Sequence, residues 1–127
     1  MNVKHKHLIV RAEVSNTPSK EDMHKILVWM EDLIKKINMR LMHAPSISYI
    51  DQKGNRGITC MALIETSHIV LHIWDEKIPG LFQLDIYSCK DIKINLVLDF
   101  FKDSFDVVKL QYKFLDREND LTLVDQD

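Results

Sequence analysis

Glycine and proline are scarce in this 127-residue chain, three of each, which excludes collagen-like repeats and leaves little material for long irregular linkers. Cysteine is scarcer still. Cys60 and Cys89 allow one bridge at most, too few to frame a small secreted domain, and both read as free thiols. Neither sign of charge dominates: 17 Lys+Arg stand against 19 Asp+Glu, for a net charge of -2 and a pI near 6.3. No strong field is present to gather nucleic acid or an acidic membrane surface, so neither is expected as a partner. No apolar run approaches the roughly 20 residues a membrane span needs, and Met1–His7 is polar and basic with no apolar stretch behind it. These absences lead us to expect a soluble, cytoplasmic chain. What is present, 46% hydrophobic and 28% charged residues, suits one compact domain and excludes disorder.

His7–Val14 alternates Leu8, Val10 and Ala12 against Ile9, Arg11 and Glu13, the period of a strand. After the turn Ser15-Asn16-Thr17-Pro18, Ser19 is an N-cap with Asp22 three residues on. Met23, Ile26, Leu27, Met30, Leu33, Ile34 and Ile37 then recur at helical spacing, predicting a helix from Lys20 to about Asn38. Met39–Met42 is expected to lead into a second strand, and polar Ala44–Gly57 reads as a strand end and loop. Ile58–Glu65, His68–Trp74 and Phe82–Cys89 read as three strands. His68, Val70, His72 and Trp74 share one face of the second, and Gln83, Asp85, Tyr87 and Cys89 one face of the third. A helix from about Asp91, with Ile94, Val97, Leu98, Phe101 and Phe105 as its apolar stripe, precedes a last strand over Val108–Phe114.

The expected order is β-α-β-β-β-β-α-β. Two helices and six strands imply an α+β fold, a two-layer sandwich with an antiparallel sheet and both helices on one face. A single domain is expected over residues 1–115, with an acidic tail at 116–127 whose patch Leu121–Val124 is open to adding an edge strand. Apolar residues such as Val70 and Trp74 on the other sheet face predict a homodimer packed sheet against sheet, giving four layers.

Reactive side chains concentrate at Thr59, Cys60, Glu65, Thr66, Ser67, His68, His72, Asp75, Glu76 and Cys89. Taken singly, each has an ordinary structural role: strand residue, core filler or turn former. His68 and His72 would chelate a metal on a helix, but on a strand they stand about 13 Å apart, too far for one ion. No metal is expected, although His5 and His7 could share an ion if a further ligand approached. Cys89 and His72 would form a thiol nucleophile and its base only if neighbouring strands brought them together.

The run Glu65-Thr66-Ser67-His68-Ile69-Val70-Leu71-His72-Ile73-Trp74-Asp75-Glu76, followed by Leu84-Asp85-Ile86-Tyr87-Ser88-Cys89, resembles the core of the bacterial and archaeal S-adenosylmethionine decarboxylases. Gly57-Ile58-Thr59-Cys60 occupies the place of that family's upstream Gly-x-Ser/Thr-Gly, and Lys6-His7-Leu8-Ile9 its opening strand. The resemblance implies a proenzyme that cuts itself between Thr66 and Ser67 and turns Ser67 into a pyruvoyl group. That group is the electron sink for decarboxylating S-adenosylmethionine in spermidine and wider polyamine biosynthesis. It further implies that His72 takes the α-proton during processing, that Thr59 assists the oxyanion step and that Cys89 reprotonates the product carbon. Glu76 would hold the ribose, and Tyr49, aligned only with a gap, would be the aromatic against adenine. Strand parity puts Ser67 and His72 on opposite faces, so Ser67 is expected in a bend.

Several residues depart from the family pattern. Thr66 replaces the usual Glu before the processed serine, Asp75 replaces Pro, Lys90 replaces Gly, and the Lys77–Leu81 turn is two residues longer. Two other readings therefore stay open: an unprocessed homologue that binds an adenosyl ligand or regulates a partner, and a decarboxylase of another amino acid.

Overall fold

The computed structural model describes residues 5–127, so the polar start read at Met1–His7 lies outside them as far as Lys4. The strands are β1 Lys6–Val14, β2 Ser46–Ile50, β3 Gly57–Ile64, β4 Ser67–Trp74, β5 Gly80–Ser88, β6 Val107–Asp116 and β7 Thr122–Gln126; the helices are α1 Met23–Lys36 and α2 Ile94–Ser104. They form one sheet, β2-β3-β4-β5-β1-β6-β7, in which every pair of neighbours is antiparallel. β1 sits in the interior, between two strands from the second half of the chain.

Alternation makes two different faces. Leu8, Val10, Ala12 and Val14 from β1, Ile58, Cys60, Ala62 and Ile64 from β3, Ile69, Leu71 and Ile73 from β4, and Phe82, Leu84 and Ile86 from β5 are all buried under the helices. α1 contributes Ile26, Trp29, Met30, Leu33 and Ile34 to this core, and α2 contributes Val97, Leu98 and Phe101. Phe101 packs edge-on against Phe82 and Trp29, and burying such a side chain stabilises the fold by about 1.5–3 kcal/mol. The expected two-layer α+β sandwich is therefore the architecture found. The open face carries Ile9, Met61 and Leu63 at 41%, 48% and 48% exposure among polar neighbours.

Local chemistry sets the helix ends. A 3-10 turn at Lys20–Asp22 leads into α1, with the Ser19 backbone N–H donating to the Asp22 carboxylate at 3.0 Å. At the other end Asn38 takes φ +57°, its N–H donates to the Lys35 carbonyl, and the Met39 N–H donates to that of Ile34. This is a Schellman closure, and the burial of Met39 beside Ile34 completes it.

Two expectations need correction. The second strand is Ser46–Ile50, not a continuation of Met39–Met42, where only Leu41 makes a bridge, to Ile64. Met39 is apolar because it seals a helix end. The sheet has seven strands rather than six, because Thr122–Gln126 returns beside β6. Asp116 fixes that turn: it accepts from the backbone N–H groups of Glu118 and Asn119 and from Lys6 Nζ, which together hold its pKa down to about 2. α2 begins at Ile94, three residues later than the pattern suggested.

Gly57 opens β3 at φ +155°, and a Cβ there would lie 1.7 Å from the Ile73 carbonyl oxygen. Gly57→Ala is expected to destabilise the protein by about 2–4 kcal/mol, read as a lowered urea midpoint with unchanged slope.

Candidate active site

The antiparallel register of β3 and β4 makes Thr59 and His72 direct cross-strand partners on the open face. Thr59 Oγ1 and His72 Nδ1 lie 3.0 Å apart. The imidazole stacks on Trp74 with ring centroids 5.6 Å apart, and Trp74 Nε1 donates to Asn55 Oδ1 at 2.9 Å. The ring is thus held by Thr59 at Nδ1 and by the indole at its face, and Nε2 is the nitrogen that Thr59 does not engage.

Thr66 and Ser67 lie at the other end of β4. Ile64 pairs with Ser67 across the two-residue turn Glu65-Thr66. Such hairpins ordinarily place positive φ on the turn residues, but here Ser67 carries it, at +154°, while Glu65 and Thr66 do not. For a residue with a Cβ this is strained backbone, and it supplies the bend that strand parity demanded. The turn is pinned on both sides: the Cys89 N–H donates to the Thr66 carbonyl at 3.0 Å, and the Glu65 N–H to the Arg40 carbonyl at 2.9 Å. Ser88, register partner of Ser67, is fully buried, and its Oγ accepts from the Lys90 N–H. The Thr66 carbonyl, with an N–H aimed at its oxygen, thus adjoins the strained Ser67.

Thr66, Ser67 and Cys89 therefore come together at one rim, and Thr59 and His72 come together elsewhere. Ser67 and His72 are five positions apart on β4, about 17 Å. The thiol-base pairing of Cys89 with His72 fails within one chain, because His72 is opposite Gln83, six residues back along β5 from Cys89. Burial pushes the other thiol, Cys60, up to about 11, so it is an inert core group.

Glu76 follows β4 and accepts from the Arg56 N–H at 2.9 Å and from that of Gly54, with the Arg56 guanidinium at 4.0 Å. The two backbone donors lower its pKa below the usual glutamate value. It borders a cavity of about 520 Å³ on the open face, shared with Arg11, Trp74 and Lys77. Tyr49 is placed differently. It pairs with Ile58, so it lies on the helix face, and its hydroxyl donates to Asp75 Oδ2 at 2.9 Å. Desolvation raises its pKa above the ordinary tyrosine value. Ser19 Oγ also donates to Asp75, which joins the entry of α1 to the end of β4.

A second polar group escaped sequence reasoning. His7, Tyr87 and His68 are neighbours across β1, β5 and β4 on the open face. Arg117 donates to His7 Nδ1 at 3.2 Å, so His7 Nε2 carries the proton it gives to Asp85. The Arg117 guanidinium also lies over the Tyr87 ring at 4.2 Å. The polar alternation of β5 was the available signal, but only register shows which side chains it meets. Among the described residues no three His, Cys, Asp or Glu side chains gather closely enough to hold a metal ion, and no helix is long and apolar enough to cross a membrane.

The α+β sandwich thus carries a hairpin strained at Ser67 and a cross-strand Thr59–His72 pair. A family model described as S-adenosylmethionine decarboxylase matches residues 6–118, and the chain belongs to that family. The S-adenosylmethionine decarboxylase proenzyme of Archaeoglobus fulgidus is 27% identical over 96 residues, which cover 72% of this chain and 84% of that one. The crystal structure of the adenosylmethionine decarboxylase from Aquifex aeolicus VF5 matches with a TM-score of 0.67 at 23% identity, covering 92% of each chain, and shares the fold. The family match ends at Glu118, so β7 lies beyond it.

Because the folded-state pKa of Glu76 is depressed, its contribution to stability is present above the unfolded glutamate pKa and lost as pH falls through the lowered value. Glu76→Gln is expected to lower the urea midpoint at neutral pH, with the gap from wild type closing under acid conditions.

Proposed function

We propose that this chain is the proenzyme of a pyruvoyl-dependent S-adenosylmethionine decarboxylase serving polyamine biosynthesis, which cuts itself between Thr66 and Ser67 and acts as a homodimer. The observation that carries the reading is the hydrogen bond from the Cys89 N–H to the Thr66 carbonyl, beside Ser67 at φ +154°. The residues fit a group made from Ser67: position 67 is the first of β4, is half-buried, and has the Cys89 main chain on the neighbouring residue. A pyruvoyl there supplies an electron sink when carbon dioxide leaves the substrate. Cys89 brings its thiol to the same rim, Glu76 offers an ionised carboxylate to hydroxyl groups of a ligand, and Trp74 walls the cavity beside it.

The separation of about 17 Å between Ser67 and His72 along β4 supports a part for a second copy in the chemistry. Two open faces packed together in opposite directions lay the Thr59–His72 pair of one copy over the Ser67 rim of the other. Ile9, Met61 and Leu63 supply apolar surface for that contact, which completes the four layers. A second reading rests on Thr66 in place of Glu and on Tyr49 facing the helices: an uncut relative that binds an adenosyl ligand, or a decarboxylase whose substrate is another amino acid.

Intact mass under denaturing conditions, before and after borohydride reduction, tests the proposal. Two fragments divided at Thr66–Ser67, the second reducible, are expected from wild type, and one whole chain from Ser67→Ala. A wild-type chain that stays whole would favour the uncut relative. His72→Ala is expected to slow cutting by about 100-fold or more. Mixing unfolded His72→Ala and Ser67→Ala chains and refolding them together should restore cutting of the His72→Ala chain, since its Ser67 then meets an intact His72 from the other copy. No rescue would place all the chemistry within one chain.

A further inference from the structure

The surroundings of the Thr66 carbonyl are unevenly charged. A cavity of about 300 Å³ at the turn is lined by Asn38, Met39, Arg40, Glu65, Thr66 and Lys90. Two of these are cations and one is an anion. None of the three has an oppositely charged side chain within 4.0 Å among the described residues. Lys90 is held in place all the same: its Nζ donates to the Asn38 carbonyl at 2.6 Å, and its backbone N–H to Ser88 Oγ at 2.9 Å. The preceding residue, Cys89, supplies the donor on the Thr66 carbonyl. Asn38 presents its carbonyl because it closes α1 at positive φ, and Thr66 Oγ1 rests against the Met39 sulfur. The helix end, Lys90 and the scissile residue thus form one small assembly.

We infer that Lys90, with Arg40 beside it, is the counter-charge for the carboxylate that self-cutting leaves on Thr66. The inference rests on the self-processing reading above. In the first step Ser67 Oγ bonds to the Thr66 carbonyl carbon, the Thr66–Ser67 C–N bond breaks, and the hydroxyl proton passes to the departing nitrogen. In the second, loss of the Ser67 α-proton and rupture of its Cβ–Oγ bond release the Thr66 carboxylate. Water then replaces ammonia at the remaining enamine, and no oxidant is consumed. Negative charge gathers on the Thr66 oxygens twice, as the oxyanion and finally as the carboxylate. Before cutting, the cavity holds a surplus of one positive charge, from Arg40 and Lys90 against Glu65; the new carboxylate cancels it. An ammonium has three donors, so Lys90 serves the carboxylate while keeping the Asn38 carbonyl. Where the family has Gly after the cysteine, this chain carries the cation in the same residue run that polarises the carbonyl.

The test is the rate at which newly refolded full-length chain cuts itself, followed by intact mass, for wild type, Lys90→Met and Lys90→Arg, each at low and high sodium chloride. Lys90→Met should cut about tenfold more slowly, less than the loss from removing a direct oxyanion donor because Lys90 is exposed. Lys90→Arg should stay within about threefold of wild type, since the charge is kept. Salt should slow wild type clearly more than Lys90→Met, in which only Arg40 is left to be screened, a difference that a merely structural lysine would not give. Should Lys90→Met fail to fold, the salt response of wild type and the rate of Lys90→Arg decide. Equal rates and equal salt responses in a wild type and a Lys90→Met chain that both cut would overturn this inference alone. A wild-type chain that never cuts overturns it together with the reading beneath it.

Discussion

The backbone hydrogen-bond ladder that holds β4 between β3 and β5 decides what each reactive side chain reaches. Its register sets Thr59 against His72, and Ser67 between Ile64 and Ser88. A slip of one residue would turn His72 toward the helices and separate it from Thr59. The tight approach of Gly57 to the Ile73 carbonyl fixes one end of the ladder, and the Cys89–Thr66 hydrogen bond fixes the other. Thr59 and His72 are placed precisely because they are strand residues, whereas Glu65 and Thr66 lie in a turn.

Much of this was legible in the residues. Alternation gave the two faces of β4 and β5, and the 3-4 spacing gave the apolar stripes of both helices. The local resemblance singled out Thr59, Ser67, His72 and Cys89. What was illegible depends on pairing across the chain. β2 is five residues long, edge-placed and half exposed, so it lacks the continuous apolar run that marks an interior strand. β7 is exposed throughout and exists because Asp116 organises a turn, which is a matter of three hydrogen bonds rather than hydrophobicity. Tyr49 could not be assigned a face before the register of β2 with β3 was known, and the grouping of His7, Tyr87 and His68 spans three strands that are distant in sequence.

The departures from the family pattern are structurally coherent. Asp75 stands where a proline is usual, and a carboxylate there receives Ser19 and Tyr49, binding the start of α1, β2 and the end of β4 into one unit. Thr66 gives up a charge that the family's glutamate would bring, and Lys90 adds one of opposite sign at the same cavity. These changes lie on the helix side or at the rim, whereas the Thr59–His72–Trp74 group on the open face is intact.

The interior position of β1 gives division of the chain a particular meaning. The piece ending at Thr66 contains β1, α1, β2 and β3, and the piece beginning at Ser67 contains the rest. β1 is clasped between β5 and β6, while β3 lies along β4, so the pieces are interleaved along three strand ladders rather than lying side by side. Parting them means opening all three ladders and the shared core at once. Were the chain cut at Thr66–Ser67, it would become an obligate pair of unlike chains, and any unfolding would turn a unimolecular search into an encounter between two molecules. Its structure would then be an inheritance from the uncut state, recovered after unfolding only at a rate set by concentration.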